Sequence, residues 1–107
     1  MRSPRSCPCV PEEIRRIADL LERRWSLTIL YASQTGAVRF NDFLASCGRI
    51  PPGTLATRLA ELEEAGLLER RVVADSRPPR VEYLLTPRGA ELRSVLTALS
   101  RFAARSV

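Results

Sequence analysis

The side chains with the most chemistry to offer in this sequence are its guanidinium groups, three thiols and a scatter of carboxylates. All 17 basic residues are arginine, against 12 acidic residues, for a formal net charge of +5. A guanidinium is a planar, permanently charged donor fork that matches phosphate, often through two hydrogen bonds at once. A basic balance of this kind favours a polyanionic partner. A codon bias towards arginine explains the missing lysine more simply, so charge alone leaves the partner open.

The absences narrow the chemistry further. With no histidine, the commonest general base and the commonest metal ligand are both missing. Cys7, Cys9 and Cys47 are too few and too scattered for a disulfide scaffold, and their odd number fits a reducing compartment. There is no Gly-rich phosphate loop and no serine in an elbow context. Glu61, Glu63 and Glu64 share one helical stretch with no pocket implied. The expectation is therefore a protein that is not an enzyme and needs neither metal nor cofactor.

At 107 residues the chain fits one domain, without room for a separate catalytic or ligand-binding unit. Apolar residues make up 45% and charged residues 27%, which fits a folded domain and argues against disorder. No apolar run approaches the roughly 20 residues needed to span a bilayer, and the start, MRSPRSCPCVPEE, lacks a signal-peptide core. A cytoplasmic location with no membrane partner is expected.

The elements that must carry these groups can be read from periodicity. Residues 1–10 read as an arm, and residues 11–107 as the folded domain. From Pro11, apolar positions at Ile14, Ile17, Ala18 and Leu21 form one helical stripe. Trp25 to Ala32 predicts a buried helix that ends near Gly36. In the next short helix Phe40, Phe43 and Leu44 share a face, and Asn41 or Asp42 is placed to cap it. The turn Gly48–Gly53 (GRIPPG) leads into a helix with its apolar face at Leu55, Leu59 and Leu62, and Gly66 stands near its C-cap.

Two β-favouring runs follow, Leu68–Val73 and Val81–Leu85, separated by a loop that carries Arg77, Pro78, Pro79 and Arg80. Thr86-Pro87 then opens a last helix, with Leu92, Val95, Leu96, Leu99 and Phe102 on one stripe. The predicted fold class is mainly α with a small β-hairpin. A helix, tight turn and second helix followed by an arginine-tipped hairpin is the outline of a winged helix-turn-helix.

Several strings make that outline specific: WSLTIL at Trp25–Leu30, RFNDF at Arg39–Phe43, IPPGTLATRLAELEEAGLL at Ile50–Leu68 and PRVEYLLTPRG at Pro79–Gly89. Over residues from about 18 to 104 the chain resembles the HxlR family of bacterial winged helix-turn-helix regulators. The resemblance implies a homodimer that binds double-stranded DNA at an inverted repeat, regulates a neighbouring gene and joins its copies through the terminal helices. Two positions depart from the family's pattern. Glu22-Arg23-Arg24 stands where members carry a Gly-Gly turn before the Trp, and Glu12 holds the place of the Cys-Pro pair of redox-sensing members.

The candidate DNA-binding residues are Pro52, Gly53, Thr54, Thr57 and Arg58 on the recognition helix, Arg77 and Arg80 on the wing, and Arg39 and Asn41 ahead of the turn. The start of a recognition helix enters the major groove, where Thr meets base edges or a thymine methyl and Arg meets guanine or phosphate. The plainer alternative is a solvated face, with Arg58 paired to Glu61 or Asp42. Trp25, Phe40, Phe43 and Tyr83 read as core rather than as a stacking platform.

Ile14, Ile17 and Leu21, with Leu92, Val95, Leu96, Leu99 and Phe102, are the candidate dimer interface. Cys7 and Cys9 are candidate redox-sensing thiols, against the alternative of two ordinary thiols in an arm; an oxidant or a small molecule is the effector class left open. The competing function is a winged-helix protein-interaction module with no specific DNA binding.

Overall fold

The computed structural model describes residues 9–106. Six helices and one hairpin run in the order α1 (Glu12–Leu21), α2 (Ser26–Gln34), α3 (Phe40–Ser46), α4 (Pro52–Glu64), β1 (Leu68–Val73), β2 (Arg80–Leu85), α5 (Pro87–Ala90) and α6 (Arg93–Ser106). Helix α2 is the centre. Its Ile29 and Leu30 are fully buried and pack with Phe43 of α3 and with Leu55, Leu59 and Leu62 of α4.

Local chemistry sets the helix ends. Glu12 and Glu13 place negative charge in the first turn of α1, where the helix dipole favours it. Trp25 leads into α2 with φ at 82°, a left-handed conformation that a bulky side chain adopts only when its surroundings hold it there. At α3 the Asp42 carboxylate accepts the backbone N–H groups of Val38 and Arg39 at 3.1 and 2.9 Å. Asp42 thus reaches back from the third helical position, the second half of a capping box. Pro52 takes the first position of α4, where a missing N–H costs nothing. At its other end Gly66, with φ at 81°, lets its own N–H reach Glu63 and the Leu67 N–H reach the Leu62 carbonyl, a Schellman closure.

The hairpin pairs Leu68 with Leu85 and Val73 with Arg80 in antiparallel register. Arg39 forms an isolated bridge to Glu82, and the Tyr83 N–H bonds the Val38 carbonyl at 2.7 Å, which fastens the wing to the segment before α3. Phe43 and Tyr83 meet edge to face with ring centroids 6.5 Å apart. Phe43 is buried, while Trp25, Phe40 and Tyr83 are half-buried against the core.

The end of the chain departs from the single helix expected there. Thr86 Oγ1 accepts the Gly89 N–H at 3.0 Å and donates to the Gly66 carbonyl at 2.6 Å. That local cap opens one short helix, α5, and the chain turns through Glu91 and Leu92 before α6 starts. The apolar stripe of α6 also divides. Leu96 is buried at 3% exposure in the core of its own chain, with Leu92 packed beside it, so neither belongs to an open outer face. Val95, Leu99 and Phe102 are exposed. Strand β2 begins at Arg80, one residue before the expected Val81.

Candidate nucleic-acid interface

Helix α4 presents a narrow open face. Gly53, Ala56, Thr57 and Ala60 are exposed along it, and Thr54 is half-exposed. The opposite face is committed to the core through Leu55, Leu59 and Leu62. A Cβ added at Gly53 would meet nothing within 4 Å, so the backbone there is open to close approach. Pro51 and Pro52 have no N–H, and the Leu55 N–H is bonded to the Pro51 carbonyl at 3.0 Å. The amides of Gly53 and Thr54 are therefore the ones left at this helix start. Thr57 donates its hydroxyl to the Gly53 carbonyl at 3.1 Å, which leaves its oxygen lone pairs and its methyl for an outside partner.

Arg58 is engaged by partners within the protein. Its Nε donates to the Arg24 carbonyl at 2.8 Å, and its Nη1 pairs with Glu61 Oε1 at 3.3 Å. The second oxygen of Glu61 takes Arg23 Nη1 at 3.1 Å, and Arg23 also pairs with Asp19 at 3.2 Å. Glu61 raises the Arg23 pKa above its ordinary value, first by accepting its hydrogen bond and then by its charge. The network ties the turn after α1 to the middle of α4.

On the wing, Arg77 is exposed at the tip. Arg80 is half-exposed, with Nε on Glu82 at 3.2 Å and Nη1 on Ser76 Oγ at 2.9 Å. Arg39 and Asn41, both exposed, line with Arg80 a hollow of about 360 Å³ between the start of α3 and the wing. Asp42 lies in the same hollow; the amides of Arg39 and Val38 hold its carboxyl below the usual carboxylate range, so it remains a fixed negative charge there.

Two arginines missed by sequence reasoning stand at the start of α4. Arg24 and Arg49 line a cleft of about 410 Å³ with Trp25, Pro51, Thr54 and Arg58. The Arg24 guanidinium carbon lies 5.0 Å from the Trp25 ring centroid, within cation–π range. Arg49 falls inside the GRIPPG turn itself, which was the signal available for it.

An apolar groove of about 510 Å³ runs between α2 and α6, lined by Leu27, Tyr31, Ala32, Leu96 and Leu99 among others. Ile14 on α1 is also exposed, and Ile17 and Leu21 are half-buried. Cys9 is exposed, whereas Cys47 is buried and burial pushes its thiol pKa up. Cys7 and most of the expected arm lie outside the described residues. Among the described residues no helix is long and apolar enough to cross a membrane.

A three-helix core, a second helix with an open small-residue face and an adjoining hairpin define a winged helix-turn-helix domain. The model of the HxlR-like helix-turn-helix family matches residues 20–107, and the chain belongs to that family of transcriptional regulators. It is 31% identical to the HTH-type transcriptional regulator YvaP of Bacillus subtilis over 96% of this chain and 91% of that protein. It is 38% identical to the HTH-type transcriptional regulator sll1512 of Synechocystis, over 82% of this chain but only 64% of the relative's own length.

Among solved structures, the reduced form of the transcriptional regulator YodB from B. subtilis superposes with a TM-score of 0.76 at 29% identity, covering 89% of this chain and 92% of that one. The redox regulator HypR in its oxidised form gives 0.79 at 29% identity, covering 87% and 95%. A MarR-family regulator from Porphyromonas gingivalis gives 0.81 at 23% identity over 96% of this chain and 100% of that one, a likeness of fold.

Proposed function

We propose that this chain binds double-stranded DNA as a homodimer at an inverted-repeat operator and so regulates transcription in the cytoplasm. The observation that carries the reading is the open face of α4, where Gly53, Ala56 and Thr57 are exposed beside an arginine-tipped wing. Small side chains let the helix sit deep in a major groove, and Thr57 offers an acceptor and a methyl to base edges. Pro52, Gly53 and Thr54 lead the helix into the groove, and Arg77 reaches a minor groove or phosphate from the wing. Arg39, Asn41 and Arg80 form a shared backbone contact. Arg58 acts from beneath this surface, holding α4 rather than reading bases.

The second copy docks on the terminal helices, with residues 1–10 an arm and residues 11–107 the domain. Val95 is 51% and Leu99 44% exposed on α6, and Leu27, Tyr31 and Ile14 extend the apolar area across α2 and α1. Two related α4 helices then lie about one DNA turn apart, roughly 34 Å. Cys9 is an exposed thiol, and YodB and HypR have been solved in reduced, quinone-bound or oxidised forms. That supports an oxidant or electrophile as the effector.

The test is selection from a pool of random duplexes by the purified protein, with its mass in solution measured alongside. Enrichment of an inverted repeat by a dimer is the expected result. A monomer, or a pool with no enriched sequence, favours the protein-interaction module instead.

A further inference from the structure

We infer that Arg24 and Arg49 grip a DNA backbone phosphate in the cleft at the start of α4, a contact distinct from the base-reading face and from the wing. The inference rests on the DNA-binding reading above and adds a site to it.

Charge accounting inside the network singles out these two residues. Asp19 and Glu61 are the carboxylates of this network, and both are engaged: Asp19 by Arg23 at 3.2 Å, Glu61 by Arg23 at 3.1 Å and by Arg58 at 3.3 Å. Arg23 and Arg58 are thereby compensated within the protein. Arg24 and Arg49 are exposed, and among the described residues neither has a carboxylate within ion-pair distance. They line the same cleft of about 410 Å³, together with Thr54, whose amide is one of the two left at the start of α4. Two uncompensated guanidinium groups and a helix-start amide around one concavity have the donor chemistry of a phosphate seat.

The cleft is also pre-ordered. Arg24 lies over the Trp25 ring at 5.0 Å, which restricts a side chain that would otherwise lose much rotamer freedom on binding. The Arg24 backbone is fixed by the Arg58 Nε hydrogen bond at 2.8 Å, and Trp25 is held at φ 82° next to it. A backbone conformation of that kind is retained only where the surroundings enforce it, and here it sets Arg24 facing α4's first turn. A merely solvated Arg24 would need none of these restraints.

The test compares the full chain with Arg24→Gln, Arg49→Gln and the double variant on the selected operator duplex and on a scrambled duplex, across a salt series. Each single change should weaken both duplexes by about tenfold at moderate salt. The slope of log affinity against log salt should become shallower by about 2 per dimer in the double variant, one phosphate in each half-site, and by less in each single variant. The ratio of operator to scrambled affinity should not change, and Arg24→Lys should restore the slope. Helix content and urea midpoint, unchanged in the variants, separate a lost contact from a lost fold. A wild type that binds its operator while both variants keep its salt slope overturns this site and leaves the DNA-binding reading standing. A wild type with no salt-dependent DNA binding overturns both.

Discussion

Arg58 Nε donates to the main-chain oxygen of Arg24 at 2.8 Å, joining residues 34 positions apart in the chain. This one bond decides how α4 is supported. Arg58 spans the gap between α4 and the turn that follows α1. With its side chain only 21% exposed, it acts as a brace. The open face in front of it is left to Gly53, Ala56 and Thr57.

The brace predicts an order of destabilisation. Glu61→Gln removes two partly exposed ion pairs and should lower stability only modestly. Arg58→Ala should cost more, because it also leaves the Arg24 carbonyl without its donor. Urea midpoints should fall in that order with the slope of unfolding unchanged. A midpoint for Arg58→Ala at or above that of Glu61→Gln would show that the carbonyl bond is worth no more than the Arg23–Glu61 pair.

Gly89 and Gly53 should differ sharply in their response to the same substitution. A Cβ at Gly89 would run into the Leu67 carbonyl oxygen and come within 3.0 Å of Leu85 Cδ2, in a spot where the Gln34 side chain also bonds the Gly89 carbonyl. Gly89→Ala should destabilise by about 1–3 kcal/mol. Gly53→Ala meets open space and should stay within about 0.5 kcal/mol of wild type. Thermal unfolding of the pair checks both.

Asp42 predicts a pH dependence. Its carboxyl is held below the ordinary value of 3.8 by the Arg39 and Val38 amides. A depressed pKa means that the stabilisation is fully present above the ordinary value and is lost as pH falls through the lower, folded one. Wild type should therefore be more stable than Asp42→Asn at pH 7, with the gap closing below about pH 4. A constant gap between pH 7 and pH 3 would contradict that assignment.

The two described thiols should separate by reactivity. Cys9 is exposed, while Cys47 is 3% exposed with its pKa raised by burial, so little thiolate forms there near neutral pH. Alkylation of the native protein followed by mass mapping should modify Cys9 first and Cys47 only on unfolding. Comparable rates at both positions would mean that the α3 end opens readily.

The helical stripes, the Gly66 stop, the hairpin and the Thr86-Pro87 start were legible because each rests on neighbours in sequence. Leu55, Leu59 and Leu62 repeat at helical spacing, and Gly66 supplies a left-handed residue where one is needed. The break at Glu91 and Leu92 was not legible, since neither position is a glycine or proline and nothing in the apolar pattern marks where α5 stops. The α6 stripe showed apolar residues without saying which core they serve. Leu96 faces α2 of its own chain and Val95 faces outward, a division set by tertiary packing. Arg58 and Glu61 were readable as a local pair, but the Arg24 carbonyl lies 34 positions away and has no signature in sequence.

The most direct test of the central claim is a titration of wild type and Thr57→Ala against the chain's own upstream DNA and a scrambled duplex of equal length, at one salt concentration. The account predicts that wild type prefers the upstream DNA by about 10³-fold or more. It predicts that Thr57→Ala lowers that ratio at least about fivefold, at about 1 kcal/mol or more for a base contact, while leaving scrambled binding unchanged. Equal affinity of wild type for the two duplexes would contradict it.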